Sequence, residues 1–305
     1  MPGYVALTGA TGFIGKTILA DLLQHGFRVK ALSRKQQQDT ENLHWIVGDL
    51  HSLPQLNALV ENVDTVIHCA GAVRGSSLKE FVSINNTGSI NLLNACQSKN
   101  TRIRLLHISS LAAREPQLSW YAKSKRLAEA ELITRKNNVL TTIFRPTAIY
   151  GPGDKEIKPL LKSLKAGFLP APDTQSQFSL LHIDDLVVAI RMWLEQKSFP
   201  GGIYELDDGS LNGYNWETLI QLTNQVWGKS VVRIPIPVPL LEVFAKINLK
   251  MSRLLGYSPM LTPGKVREIT HLNWVCDNHP LTNTLGWSPT ITLADAMNTP
   301  DLLQL

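Results

Sequence analysis

Tyr121 and Lys125 stand four residues apart in the stretch Tyr121-Ala122-Lys123-Ser124-Lys125. On a helix that spacing places the phenol and the ammonium on one face, within reach of a common point. A free tyrosine has a pKa of about 10 and is a poor base at neutral pH. A fixed cation beside it favours the phenolate and draws the pKa towards the range where a general acid or base works. Such a pair arises often by chance, so its setting matters. A serine pair, Ser109-Ser110, stands shortly before it, and a complete nucleotide-binding pattern lies upstream.

That pattern opens the chain. Tyr4 to Thr8 is a short apolar run of the kind buried in a parallel sheet. Gly9-Ala10-Thr11-Gly12-Phe13-Ile14-Gly15 follows, then a segment with Ile18, Leu19, Leu22 and Leu23 at helical spacing, a helix stop at Gly26, and a second strand from Phe27 to Leu32. Strand, glycine turn, helix and strand form the context of a dinucleotide fingerprint, here spaced G-x-x-G-x-x-G. The glycines allow a tight turn and close approach of a pyrophosphate, whose charge sits at the helix N-terminus. A strand-to-helix turn without a ligand shares the pattern. The second strand ends in Ser33-Arg34-Lys35, where an NAD site carries an Asp or Glu for the ribose hydroxyls, and no acid occurs until Asp39. Arg34 suits a 2′-phosphate, so NADP is the expected cofactor with NAD as the alternative. Solvated loop charge is the other reading of Arg34 and Lys35.

The 305 residues exceed one such unit by roughly a hundred. The hydrophobic content of 44% and charged content of 18% are those of an ordinary globular enzyme. The net charge of +5 comes from scattered basic residues, which does not imply nucleic-acid binding. Cys69, Cys96 and Cys276 fit neither a metal spacing nor a disulfide framework. The first strand leaves no room for a signal peptide, and no apolar run reaches the ~20 residues that span a bilayer. A reducing, cytoplasmic setting is expected.

Strands at Leu43–Val47, Asp64–His68, Leu105–Ile108 and Leu140–Phe144 alternate with helical patterns at about 53–61, 77–99 and 120–137. This predicts an α/β fold, a Rossmann-type doubly wound parallel sheet with a smaller, discontinuous C-terminal substrate domain. Ligands of such sheets bind beyond the carboxyl ends of the strands, where every motif named here falls. After Tyr150-Gly151-Pro152-Gly153-Asp154 proline becomes frequent and the alternation loses regularity. Gln177–Ile183 and Gly202–Leu206 read as strands returning to the sheet, with a helix at about 184–196 between them. The expected cofactor domain is 1–150 plus these returning elements at about 177–206; about 151–176 and 207–305 form the substrate domain.

The ordered set Thr8 to Gly15, Gly48-Asp49-Leu50, Ser109-Ser110, Tyr121-x-x-x-Lys125, Arg145-Pro146-x-x-x-Tyr150-Gly151-Pro152-Gly153 and His182-Ile183-Asp184-Asp185-Leu186 resembles the extended short-chain dehydrogenase/reductase superfamily, the NAD-dependent epimerase/dehydratase family, over about residues 4–206. The resemblance implies an enzyme in which Tyr121 is the acid/base, Lys125 holds the nicotinamide ribose and lowers the tyrosine pKa, and Ser110 (Ser109 as the fallback) bonds the substrate oxygen. Asn85 matches an asparagine near the active site. Gly9, Thr11, Gly12, Phe13, Ile14, Gly15, Ser33, Arg34, Asp49, Leu50, Ala70, Gly71, Ala72 and Pro146, with Tyr121 and Lys125, would bind the cofactor. His182 and Asp185 match a largely structural motif.

Four departures bear on the substrate. Ala148 stands where nucleotide-sugar epimerases usually have an Asn, and Phe178 where they often have a diphosphate-contacting Arg. Leu111 to Arg114 replaces the usual Tyr-Gly, and the Ser110–Tyr121 loop is short. The motif set looks more like the 3-beta-hydroxysteroid dehydrogenase and dihydroflavonol reductase side. The leading reading is a hydride transfer between NADP and a secondary alcohol or ketone. A nucleotide-sugar epimerase or dehydratase that retains its cofactor is the second, and a non-catalytic NADPH-binding subunit the third; the intact Ser110–Tyr121–Lys125 set argues against the last.

Three features remain. Lys155, Lys158, Lys162 and Lys165 read as the solvated face of an amphipathic helix with Ile157, Leu160, Leu161 and Leu164 inward, and an anion-steering stripe at the pocket mouth is the alternative. Leu240, Phe244, Ile247, Met251 and Leu254 share one helical face, for which burial in the substrate domain is expected and a membrane-facing lid is the alternative. The helices at 77–99 and 120–137 correspond to those that pair family homodimers.

Overall fold

In the computed structural model, which describes residues 4–99, 101–135 and 138–303, the first half of the chain runs β1 (Tyr4–Thr8), α1 (Phe13–Gln24), β2 (Arg28–Ser33), β3 (Leu43–Val47), α2 (Leu53–Leu59), β4 (Val63–His68), α3 (Leu78–Phe81), a π-helical turn (Val82–Thr87), α4 (Gly88–Gln97), β5 (Ile103–Ile108), a 3₁₀ turn (Leu111–Arg114), α5 (Trp120–Thr134) and β6 (Val139–Pro146). Then come β7 (Ala148–Tyr150), α6 (Lys158–Lys165), β8 (Phe168–Pro172), β9 (Gln177–Phe178), β10 (Leu180–His182), α7 (Ile183–Glu195), β11 (Gly202–Leu206), α8 (Trp216–Trp227), β12 (Val232–Ile236), α9 (Val238–Leu255), α10 (Pro263–Thr270), β13 (Asn273–Trp274), α11 (His279–Leu285) and α12 (Leu293–Met297). The last two residues expected in the helix at 120–137, Lys136 and Asn137, lie outside the described residues.

Two compact units result. The first comprises Met1–Pro116, Trp120–Arg145 and Val187–Tyr204; the second comprises Gln117–Ser119, Pro146–Leu186 and Glu205–Leu305. The first is built on a seven-stranded sheet in the order β11-β6-β5-β4-β1-β2-β3, with parallel pairs from β3 through to β6. The order reverses between β1 and β4, which makes the carboxyl ends of these two strands the switch point of a Rossmann-type sheet. Its strands read as continuous apolar runs because helices cover both faces. Leu56, Leu59, Leu92, Leu93, Ile103 and Leu105 pack with Val63 and Val66 in one buried cluster.

In the second unit Tyr150, Leu161, Leu164, Leu169, Leu219 and Leu293 form a separate core. Gln177–Ile183 does not return to the large sheet, contrary to the sequence expectation. β10 pairs in parallel with β7, and β9 with β13, each in a two-stranded sheet of its own. Gly202–Leu206 alone joins the large sheet, beside β6. The apolar face of α9 also departs from expectation. Only Ala245 and Ser252 of that helix are buried, whereas Phe244 and Leu254 are 54% and 79% exposed.

The glycine turn sets the closest backbone approach in the first unit. A Cβ on Gly15 would lie 2.0 Å from the Gly9 carbonyl oxygen, and one on Gly9 would lie 2.6 Å from the Ala70 amide nitrogen. Gly9 also has a φ of 76°, open to glycine with little cost. Gly15→Ala is therefore expected to lose at least about 3 kcal/mol, the upper end for overpacking, because the clash is with backbone. Denaturant unfolding measures it, and a loss under about 1 kcal/mol would show that α1 can slide away from β1.

Candidate active site

The carboxyl ends of β1, β4 and β5 and the first two turns of α5 gather most of the residues singled out by sequence. Lys125, on the inward face of α5, is only 5% exposed, and its Nζ donates to the Ile108 carbonyl at the end of β5 at 2.7 Å. Burial pulls its ammonium from the ordinary 10.5 down to about 8, with Cys69 and Glu129 acting in the other direction. Burial pushes the Cys69 thiol up to about 12, so it is neutral around pH 7 and Glu129 is the charge that compensates Lys125. Tyr121 lies one turn earlier on α5, half-buried, with its ring edge-on to Phe81 at 6.1 Å between centroids.

The two serines are separated by their partners. Ser109 is buried, and its hydroxyl donates to Glu129 Oε1 at 2.6 Å. Glu129 is also gripped by Arg145, whose Nε and Nη2 donate to its two oxygens at 2.9 and 2.6 Å. Ser109 thus serves a buried network that joins β5, α5 and β6. Ser110 is less buried and caps the 3₁₀ turn, accepting from the Ala112 amide at 3.2 Å, which leaves its hydroxyl proton to donate elsewhere.

Asn85 sits in the π-helical turn, an insertion that redirects a side chain relative to a regular helix. Its Oδ1 accepts from the Ala72 amide at 2.7 Å, and its Nδ2 donates to the Ala72 carbonyl at 3.0 Å and to Ser124 Oγ at 2.9 Å. These bonds fasten the Ala70-Gly71-Ala72 segment to α5. Ser89 donates to the Asn85 carbonyl at 2.6 Å. His68 lies between Ser89 Oγ at 2.8 Å from Nε2 and Thr8 Oγ1 at 2.7 Å from Nδ1, and the Ala70 amide donates to Thr8 Oγ1 at 3.2 Å. Because the Ser89 proton goes to Asn85, the network assigns the His68 proton to Nε2 and lets Thr8 donate to Nδ1. Burial, helped by Lys125, holds His68 down to about 3 and His107 well below its ordinary value, so both rings are neutral beside the lysine. Sequence reading gave no site role to Thr8, His68 or Ser89. Their only signal is position at strand ends and on α4, which many core residues share.

The remaining cofactor candidates fall at the same sheet end. Gly12 begins α1 with no side-chain cap and no acid in the first turn, so the helix presents its amides to an anion. A Cβ on Gly71 would come within 3.2 Å of Asn85 Oδ1 and 3.8 Å of Lys125 Nζ. Thr11 is exposed, and Phe13 and Ile14 are half-buried. Leu50 is buried under Gly88, and Asp49 is exposed, its carboxylate accepting from the His51 amide at 2.8 Å and from Ser52 Oγ at 3.0 Å. Ser33 is buried with its hydroxyl bonded to the Lys35 backbone, and Arg34 is exposed beside it. Asp39 spends its oxygens on the Trp45 amide at 2.8 Å and His44 Nδ1 at 2.6 Å. Pro146 ends β6 and is buried. A turn that a Cβ would fill, an uncapped helix start and a buried lysine fit a nicotinamide dinucleotide.

In the second unit, Phe178 packs its ring 5.1 Å from Trp216 and 6.5 Å from Tyr214. Ala148 is exposed on β7. Asp185 accepts from the Thr290 and Ile291 amides at 3.0 and 2.9 Å, a structural use of its carboxylate. A cavity of about 660 Å³ opens in the first unit at the opposite, amino ends of the strands, where Arg104 is already bonded to the Trp193, Leu194 and Gln196 carbonyls.

Comparison with known proteins agrees with this fold. The NAD dependent epimerase/dehydratase family matches residues 5–206. A ceramide reductase of Caulobacter vibrioides is 31% identical over 92% of this chain and 88% of its own length. A UDP-glucose 4-epimerase of Vibrio cholerae is 26% identical, over 97% of this chain and 93% of its own. The solved structure of MoeE5 in complex with UDP-glucuronic acid and NAD shares the fold, with a TM-score of 0.74 and 21% identity over 98% of this chain and 97% of that one.

The buried lysine has a measurable signature. Below about pH 8 the folded and unfolded chains both hold its proton, and the full cost of burying the charge is present. Between about 8 and 10.5 the folded chain gives up the proton while the unfolded chain keeps it, so stability rises with pH. Wild type should gain on the order of 3 kcal/mol relative to Lys125→Met across that interval. Urea unfolding of both proteins at several pH values reads the difference; a flat difference would mean that the ammonium is solvated.

Proposed function

Because the chain belongs to the NAD-dependent epimerase/dehydratase family, we propose that it is an NADP-preferring oxidoreductase that interconverts a ketone and a secondary alcohol on a bulky apolar substrate. The observation that carries the chemistry is the buried Lys125 on the same face of α5 as Tyr121. When bound, the nicotinamide cofactor supplies or accepts the hydride. Tyr121 gives the proton to the carbonyl oxygen in reduction and takes it back in oxidation. Lys125 keeps positive charge beside the phenolate that this leaves. Ser110 donates its hydroxyl proton to the reacting oxygen. Asn85 acts as a positioning residue, since its amide is spent on Ala72 and Ser124. The uncapped start of α1 would hold the cofactor's diphosphate and Arg34 its 2′-phosphate, with Asp39 already engaged by β3.

Phe178 supports the substrate class. In nucleotide-sugar members an arginine there contacts the diphosphate, whereas here the ring packs against Trp216 and Tyr214. Burying a diphosphate without its donors costs on the order of 1–3 kcal/mol per lost contact. The similarity to a ceramide reductase points the same way, to a carbonyl on a lipid-like molecule. A second reading, epimerisation of a nucleotide sugar with a retained cofactor, draws on the similarity to a UDP-glucose 4-epimerase over nearly the whole chain.

Tyr121→Phe is expected to lower turnover of a bulky apolar ketone by about 10²–10⁴-fold, the usual share of acid–base assistance, with NADPH affinity nearly unchanged. Retention of more than half the wild-type rate would remove Tyr121 from the mechanism. UDP-sugars should bind weakly in the presence of cofactor; micromolar binding with interconversion of epimers would promote the second reading.

NADP(H) should bind about ten- to a hundredfold more tightly than NAD(H), the value of one charge-assisted phosphate contact. Calorimetric titration of both cofactors measures the ratio. Arg34→Ala should narrow it while NAD(H) affinity stays put, and equal affinities in the wild type would discard the NADP assignment.

A further inference from the structure

α9 is a long helix whose apolar side has no cover. Leu240, Val243, Phe244, Ile247, Met251, Leu254 and Leu255 are each between 46% and 79% exposed. At about 100° per residue they fall within an arc of roughly 120°. Ala245 and Ser252, the buried residues of the helix, lie on the other side. The stripe is therefore not the packing face, and seven large side chains in a row are more than the scattered exposure a surface ordinarily carries.

The borders of the stripe differ. Lys250, Lys246 and Arg253 follow one another along one edge, all exposed, with Glu242 beyond them as the single acid of the helix. On the other edge Asn248 holds the Tyr257 hydroxyl at 2.6 Å and donates to the Leu261 carbonyl at 2.8 Å, which seats an exposed tyrosine beside the apolar arc. An apolar face edged by cations and by an aromatic with a polar tip is the pattern of a helix lying in a membrane interface. The same face suits a second copy of the chain less well. Antiparallel pairing about a two-fold axis would set each cationic border against its own counterpart, like charge on like charge. An anionic surface removes that conflict.

We propose that α9 docks this protein on anionic lipid, its apolar arc in the acyl boundary and Lys246, Lys250 and Arg253 at the headgroups. A helix lying in the interface attaches peripherally and reversibly, and no helix among the described residues is long and apolar enough to cross a membrane. The proposal is independent of the reaction assigned above, because it rests on α9 and the Tyr257 beside it.

Co-sedimentation of the full chain with vesicles tests it. Vesicles of equal parts phosphatidylcholine and phosphatidylglycerol should bind the protein, and phosphatidylcholine alone should bind it at least tenfold less. Each basic residue near such a surface is worth roughly fivefold, so Lys246→Glu with Lys250→Glu should weaken binding at least about tenfold. Phe244→Gln with Ile247→Gln and Met251→Gln should abolish it, while the thermal transition and NADPH binding stay as in the wild type. Failure of the wild type to bind anionic vesicles, or binding indifferent to both sets of substitutions, would overturn the proposal. Sedimentation velocity without lipid gives the rival outcome: a dimer dispersed by the apolar substitutions would assign the face to a second copy. NADPH and vesicle binding are read without turnover, so loss of the proposed reaction leaves this result standing.

Discussion

The first unit is arranged around the buried cation of Lys125. Lys125 has one short bond, to the Ile108 carbonyl, and its ammonium is otherwise enclosed by protein. An uncompensated charge in such a place is expensive, so its neighbours are constrained. Glu129 lies one turn further along the same helix and supplies the opposite sign. Glu129 is itself held by Arg145 and Ser109, which ties the helix to the ends of two strands. Removing any member leaves another buried group unpaired, which makes this network a rigid bracket for the lysine.

The histidines are the other side of that constraint. His68 and His107 lie tilted to each other at 5.0 Å between ring centroids, and burial, reinforced by the Lys125 ammonium, keeps both neutral. A neutral His68 can both donate and accept, and it uses both capacities to join the end of β1 to α4 through Thr8 and Ser89. The same bonds reach Asn85 and the Ala70–Ala72 segment. Burial, with Lys125 adding to it, thus fixes the protonation state of the groups that hold the end of β1 and the Ala70–Ala72 segment together.

Much of this was legible in sequence, and the reasons are local. The strand–glycine–helix–strand unit depends on spacing within a few dozen residues, and Tyr121 and Lys125 share a face by helical periodicity alone. β10 was misread because Leu180, Leu181 and His182 are as apolar and buried as a central strand, and nothing local says which sheet they join. The π-helical turn was invisible because one extra residue per turn leaves no compositional mark. The α9 stripe was expected to be buried since periodicity shows that a face exists, never what lies against it. Ser109 and Ser110 are adjacent and chemically identical, and only their partners tell them apart.

The path of the chain has a consequence for synthesis. β11, which covers β6 in the large sheet, and most of α7 follow residues 146–186, which belong to the second unit, and so are made only after them. Until residue 204 or so leaves the ribosome, β6 is a bare parallel edge with unpaired amides, the kind of surface that recruits stray strands. The nucleotide-binding portion is consequently not a detachable N-terminal module. A fragment ending at Tyr150 would retain the glycine turn, Tyr121 and Lys125, yet carry an open sheet edge that the intact protein never shows.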